Sequence, residues 1–217
     1  MNSFKPTPLD VKQCQIQLLE NCYKYQKSHV GSAFSVLPTL HQIFSSLGVQ
    51  DRVILSNGHA ASALYVILSN FRGISAQLLF ETLGDHPKRN KEYGIDCSTG
   101  SLGMGISVAV GMAIANANSI VHCIISDGEC AEGVVWEALS FANTHQLQNL
   151  KIYAILNGWS AYENLDLDYL QARLLAFLPS IFIVNVNTDF LGMSGLKAHY
   201  AKLTKEAYTQ ARKNLEN

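Results

Sequence analysis

Two apolar runs, each ending in a short polar turn, constrain this chain more than any other feature. Ile120, Val121, Cys123, Ile124 and Ile125 lead into Ser126-Asp127-Gly128-Glu129, and a helix-like segment follows from Gly133 to Asn143. A second run, Leu150 to Leu156, leads into Asn157-Gly158-Trp159. Short apolar runs bounded by turn residues and separated by helical segments are the pattern of buried parallel strands. Asn157 follows Asp127 by 30 residues, about what a helix and a return strand need to bring both strand ends to one sheet edge.

In an α/β sheet, ligands sit outside the carboxyl ends of the strands, where the next helix offers unpaired N–H groups to an anion. That favours a phosphorylated ligand. An Asp in the same turn repels a bare phosphate, so Asp127 makes sense there with a divalent cation between carboxylate and phosphate oxygens. Taken locally, Asp127-Gly128 and Asn157-Gly158 are equally compatible with tight turns.

The rest of the chain reads as one α/β unit without repeat or linker. Val11, Cys14, Leu18 and Cys22, with Leu19 beside them, give a helical period within Leu9 to Lys27. Val36 to Ser46 reads as a second helix, Arg52 to Leu55 as a strand, and Ala60 to Asn70 as the helix after it, with His59 at its start. Gly100 to Gly105 precedes an Ala- and Val-rich helix from Ile106 to Asn116, and glycines before a helix permit close backbone approach to a ligand. Leu167 to Phe177 reads as a helix and Ser180 to Val186 as a strand.

With 217 residues and 48% hydrophobic content, the chain can bury the core of one domain. A net charge of −1 gives no reason to expect nucleic acid or an anionic membrane surface as partner. No apolar run spans a bilayer and Met1 to Leu9 has no signal-peptide core, so a soluble, cytoplasmic protein is expected. The five cysteines lack CxxC spacing and read as reduced thiols, not as a disulfide framework or zinc site. His41, His122 and His145 lie outside the motifs and are assigned to packing or surface.

Ser126-Asp127-Gly128-Glu129, Glu132-Gly133-Val134-Val135-Trp136-Glu137-Ala138, Asn149-Leu150 and Asn157 together resemble the thiamine-diphosphate motif of transketolases. Further matches follow the transketolase order: Ser28-His29-Val30-Gly31-Ser32, Leu55-Ser56-Asn57-Gly58-His59-Ala60, Asp85-His86-Pro87 and Ser98 to Gly105. The chain is similar to the N-terminal, diphosphate-binding part of a transketolase from about residue 10 onward.

The resemblance implies a thiamine-diphosphate-binding fold, three-layer α/β/α with a mostly parallel sheet, as a single diphosphate-binding domain over residues 1–217. It implies a metal site of Asp127, Asn157 and the main-chain carbonyl of Trp159, holding Mg²⁺ or Ca²⁺ against thiamine diphosphate. Cofactor contacts carried over by it are His59, Gly100, Ser101, Leu102, Gly128, Glu129, Asn157 and His199; His29, His86 and His199 take the catalytic positions facing the sugar. Glu132 and Glu137 match acidic residues at the family's subunit interface.

Departures touch substrate choice more than cofactor binding. Ser126 replaces the first Gly of the family's GDG, Met104 the usual Gln, and Tyr200 the Gly after the late His, while the distance from Asn157 to His199 is short by about one βα unit. The family's pyrimidine-binding and C-terminal domains have no counterpart here. They are expected on a separate C-terminal subunit, with two copies of each chain and a sugar or sugar phosphate as substrate. The rivals are another thiamine-diphosphate enzyme, such as an acyloin-forming or 1-deoxyxylulose-5-phosphate-type synthase, and a scaffold without turnover.

Overall fold

The computed structural model describes residues 9–160, 163–187, 192, 198 and 200–216. Four strands, β1 (Arg52–Leu55), β2 (Val121–Ser126), β3 (Leu150–Leu156) and β4 (Phe182–Asn185), form a parallel sheet in that order. Leu55 lies opposite Ile124, Ile124 opposite Tyr153, and Leu156 opposite Asn185. All four expected strands are present.

The strands are apolar on both faces because both faces are covered. Val121, Cys123 and Ile125 of β2, with Ile152, Ala154 and Leu156 of β3, pack with α5 (Met104–Ala115), α6 (Gly133–Thr144) and α7 (Leu167–Phe177). The alternate residues Val53, Leu55, Ile124 and Ile155 join the other core, with α1 (Val11–Lys24), α2 (Val30–Ser45) and α3 (Ala61–Arg72). The period of two along each strand thus divides the core into two layers, giving the three-layer α/β/α arrangement. Among the described residues no helix is long and apolar enough to cross a membrane.

Local chemistry sets several boundaries. Asp10 caps α1 by accepting from the Gln13 N–H while the Gln13 side chain accepts from the Asp10 N–H, a capping box. The second helix starts six residues earlier than its expected Val36 boundary, at Val30, following His29 in a left-handed conformation with φ 57°. Val30 to Leu37 are buried on every side, so that turn carries no polar stripe from which a helical period could be read. Two further helices have no counterpart in the sequence reading, α4 (Ala76–Thr82) and α8 (Lys205–Glu216). The latter lies against α1, where Tyr208 stacks on Tyr23 at 4.5 Å between ring centroids and Arg212 pairs with Glu20.

His41, His122 and His145 take structural partners. His41 bonds the Leu9 carbonyl at 2.9 Å, His122 pairs with the Tyr153 hydroxyl at 3.1 Å, and His145 stacks on Phe141. All five cysteines are free thiols.

Helix α5 crosses the end of β1 so closely that a Cβ on Gly105 would stand 2.5 Å from the Ser56 Cα. Backbone cannot yield there as a side-chain tip can, so Gly105→Ala is expected to destabilise by roughly 1–3 kcal/mol, lowering the melting temperature by several degrees. Gly111, on the same helix, meets nothing within 4 Å. Gly111→Ala is expected to be neutral or to stabilise by up to about 1 kcal/mol through helix propensity. Thermal melts of the two variants check this; equal effects would contradict the close α5–β1 packing.

Candidate active site

The carboxyl ends of β1, β2 and β3 frame a cavity of about 250 Å³. After β1, Ser56-Asn57 turns into a 3₁₀ segment at Gly58–Ala60 that carries His59 ahead of α3. After β2, Asp127 opens a second 3₁₀ turn, Gly128–Ala131, and after β3 comes Asn157-Gly158-Trp159. The walls are completed by His29, Gly31, Ser32 and Ser35 from the start of α2, and by His86, Gly100 and Leu102 from the segment before α5.

Asp127 is the central charge. It is 2% exposed, and its Oδ2 accepts from the Asn157 and Gly158 N–H groups at 2.8 Å each, while Oδ1 accepts from the Gly128 N–H at 3.0 Å. The carboxylate thereby staples the end of β2 to the end of β3. Burial pushes its pKa up to about 6, against the opposing pull of those N–H groups. The Asn157 side chain is held on both sides, its Nδ2 donating to Ser35 Oγ at 3.3 Å and its Oδ1 accepting from the Trp159 N–H at 3.0 Å.

Glu129, a cofactor contact in the sequence resemblance, is held here by protein groups. It is fully buried and lies outside the residues lining the cavity. Its Oε1 accepts from Ser56 Oγ at 2.6 Å and from the Gly103 N–H at 2.9 Å, and its Oε2 from the Ser126 N–H at 3.0 Å. One carboxylate therefore ties the β1 end, the β2 end and the glycine loop together beneath the cavity. Burial raises its pKa, opposed by the Ser56 hydroxyl, the Gly103 and Ser126 N–H groups and the Ser126 hydroxyl. Burial, then the charges of Asp127 and Glu129, pushes the Cys130 thiol up to about 12, which leaves it a neutral thiol without nucleophilic character.

Three histidines face one space. The rings of His29 and His59 are 5.1 Å apart between centroids, and Tyr200 meets His29 edge-on at 5.9 Å. His86 packs beside Gly100, where a Cβ would fall 3.1 Å from the His86 Cδ2, so the glycine leaves room for the ring. Gly103 holds the left-handed φ of 77° that ends this loop and starts α5.

The cavity brings together Asp127, Asn157, Trp159, Gly128, His29, His59, His86, Gly100 and Leu102. Ser101 is exposed outside it, and His199 lies outside the described residues. Sequence reading missed Ser35, Asn57 and the Ser126 side chain as parts of the wall; Asn57 and Ser126 sit inside quoted motifs, whereas Ser35 carried no signal.

The donor set fits a hard divalent cation, being the Asp127 carboxylate and the Asn157 amide oxygen, with Trp159 in the same wall. Among the described residues there is no cluster of three or more His, Cys, Asp or Glu that could hold a metal without such help. One buried cavity oxygen without a hydrogen-bond partner, Asn57 Oδ1, fits a site built around a polar ligand.

Known proteins place this geometry. Among curated relatives, the 6-deoxy-6-sulfo-D-fructose transketolase subunit SqwG of a Clostridium species is 34% identical over 160 residues, covering 64% of this chain and 58% of that protein. A subunit of the apulose-4-phosphate transketolase of Phocaeicola vulgatus is 33% identical over 155 residues, covering 62% and 54%. Human transketolase is 40% identical over 116 residues, covering 46% of this chain but 18% of that protein. The chain thus spans less than two thirds of the length of each.

A solved transketolase variant of Pichia stipitis shares the fold with a TM-score of 0.79 at 23% identity, over 95% of this chain and 41% of that one. Transketolase from Campylobacter jejuni does so with a TM-score of 0.73 at 21% identity, over 96% and 43%. Residues 11–158, more than half of the chain and including Asp127, Asn157 and the histidines of the cavity, match the family described as "Transketolase, thiamine diphosphate binding domain", and the chain belongs to that family.

Proposed function

We propose that this chain is the diphosphate-binding subunit of a two-chain, thiamine-diphosphate-dependent transketolase that transfers a two-carbon ketol unit from a ketose donor to an aldehyde acceptor. The observation that carries this reading is the buried Asp127 carboxylate beside Asn157, at the sheet edge where His29, His59 and His86 converge. The two relatives named as subunits support a partner chain.

In this reading Asp127, the Asn157 amide oxygen and the Trp159 carbonyl hold Mg²⁺ or Ca²⁺, and the Gly128 N–H and His59 donate to the diphosphate. Gly100 and Leu102 wall the cofactor, with Ser101 and Glu129 supporting the loop and turn around it. Bound thiamine diphosphate supplies the carbanion stabilisation that carbon–carbon bond cleavage requires. His29 and His86 hydrogen-bond the sugar oxygens and hold protons near the reacting carbons, a role that His199 shares. The exposed Glu132 and Glu137, on and beside α6, face the partner, a C-terminal subunit in an assembly with two copies of each chain. The setting is cytoplasmic, and the substrate is a sugar or sugar phosphate.

The test is a donor and acceptor screen of this chain with the subunit that copurifies with it. The complex is expected to transfer a ketol unit, with kcat/KM reduced roughly 10²-fold or more in His86→Ala through loss of a positioned proton carrier. A complex that instead decarboxylates a 2-oxo acid and transfers no ketol unit would contradict the assignment.

Asp127 also predicts a pH dependence. Its pKa is raised from 3.8 to about 6 in the ligand-free chain, so the folded state binds that proton more tightly than the unfolded state does. Its contribution to stability therefore falls as pH rises from about 4 to about 6. Melts over this range, with Asp127→Ala as subtraction, should show the decline in ligand-free chain and its removal by Mg²⁺ with thiamine diphosphate in the complex. A contribution that rises with pH in the ligand-free chain would contradict the burial argument.

A further inference from the structure

Two loops bring histidines to the cavity, and neither histidine lies in a helix or strand. His29 ends the segment between α1 and α2, and His86 sits in the segment after α4. Lys27 stands two residues before His29, and Asp85 one residue before His86. Lys27 Nζ meets Asp85 Oδ1 at 3.0 Å, so an ion pair joins the two histidine-bearing loops. Neither Lys27 nor Asp85 lines the cavity itself.

Each loop is also anchored on its own side. The Lys27 N–H donates to the Cys22 carbonyl of α1 at 2.9 Å, and the Ala33 N–H of α2 donates to the His29 carbonyl at 3.0 Å. Within this loop Gln26 and His29 hold left-handed φ angles of 50° and 57°, a conformation that side chains other than glycine disfavour and that persists where the surroundings impose it. In the other loop, the hydroxyl of the buried Tyr65 donates to the Gly84 carbonyl at 2.9 Å and the His86 carbonyl at 3.3 Å. Tyr65 thus holds the backbone on both sides of Asp85, while Lys27 holds its carboxylate.

We propose that Lys27 and Asp85 are positioning residues, whose ion pair is a clasp that sets where the loops of His29 and His86 stand relative to each other. The Lys27 side chain is 13% exposed and that of Asp85 57%. An ion pair open to water on one side adds little to the stability of a fold. Reaction geometry is far more sensitive, since a displacement of about 1 Å at a reacting group can cost on the order of 10²-fold in rate. Loss of the clasp should therefore show in rate much more than in melting temperature. In the transketolase reading on which this inference rests, both histidines act on the sugar and not on the diphosphate, so cofactor affinity should be spared.

Three variants are compared with the unsubstituted chain, each assembled with its partner subunit: Lys27→Met, which keeps the stem without the charge, Asp85→Ala, and Lys27→Arg, which keeps the charge. Lys27→Met and Asp85→Ala are each expected to lower kcat for ketol transfer roughly tenfold. Calorimetric affinity for thiamine diphosphate with Mg²⁺ should be unchanged, and the melting temperature should move by no more than a few degrees. Combining the two substitutions should cost no more than either alone, because each already opens the clasp, and Lys27→Arg should keep most of the rate. The histidine ring signals in NMR spectra of the ligand-free chain give a readout without turnover. Those of His29 and His86 should shift or broaden in both charge-removing variants, while those of His41, His122 and His145, which have other partners, stay in place.

An unchanged kcat, unmoved His29 and His86 signals, or losses that multiply in the double variant would overturn the proposal, as would a rate loss matched by weaker cofactor binding. Asp85 is more than half exposed, so Asp85→Ala tests the clasp even where Lys27→Met fails to fold. Failure of the unsubstituted complex to transfer a ketol unit would instead overturn the transketolase reading, and the ring signals then decide the clasp on their own.

Discussion

The carboxylate of Asp127 is the interaction on which the rest of the site depends. Three backbone N–H groups converge on it, two of them from the end of the neighbouring strand β3. A buried carboxylate is costly unless it is hydrogen-bonded or paired, and here the N–H groups offset only part of that cost, as the raised pKa records. A divalent cation would supply the remainder. The same bonds hold Asn157 and Gly158 at fixed distance from β2, so the geometry of the proposed metal site is set before any ligand arrives.

A second buried acid, two residues further on, does structural work with the same chemistry. Glu129 lies outside the residues that line the cavity and accepts from Ser56, Gly103 and Ser126. Asp127 and Glu129 therefore divide the turn: one points its charge at the ligand side, the other fixes the loops that enclose it. The close packing of Gly105 on Ser56 completes that frame from the α5 side, which is why a glycine is required at position 105.

Much of this was legible in the sequence, for physical reasons that can be named. The strands β2 and β3 announce themselves because both faces are covered, which makes them continuous apolar runs, and the polar turns at their ends carry the site. The start of α2 was not legible, because a helical turn buried on all sides has no amphipathic period. That Glu129 lies outside the residues lining the cavity was not legible, because sequence adjacency to Asp127 does not reveal which groups its carboxylate meets. Ser35 reaches Asn157 only through the packing of α2 against the end of β3, at a separation of 122 residues that no local pattern encodes.

The account is tested most directly by calorimetric titration of thiamine diphosphate into the assembled complex, with Mg²⁺ or with chelator, for the unsubstituted chain and for Asp127→Ala. Tight binding that requires the divalent ion, and loss of that binding in Asp127→Ala, is the result the carboxylate's position predicts. Equal affinity in the variant, or in the presence of chelator, would contradict it.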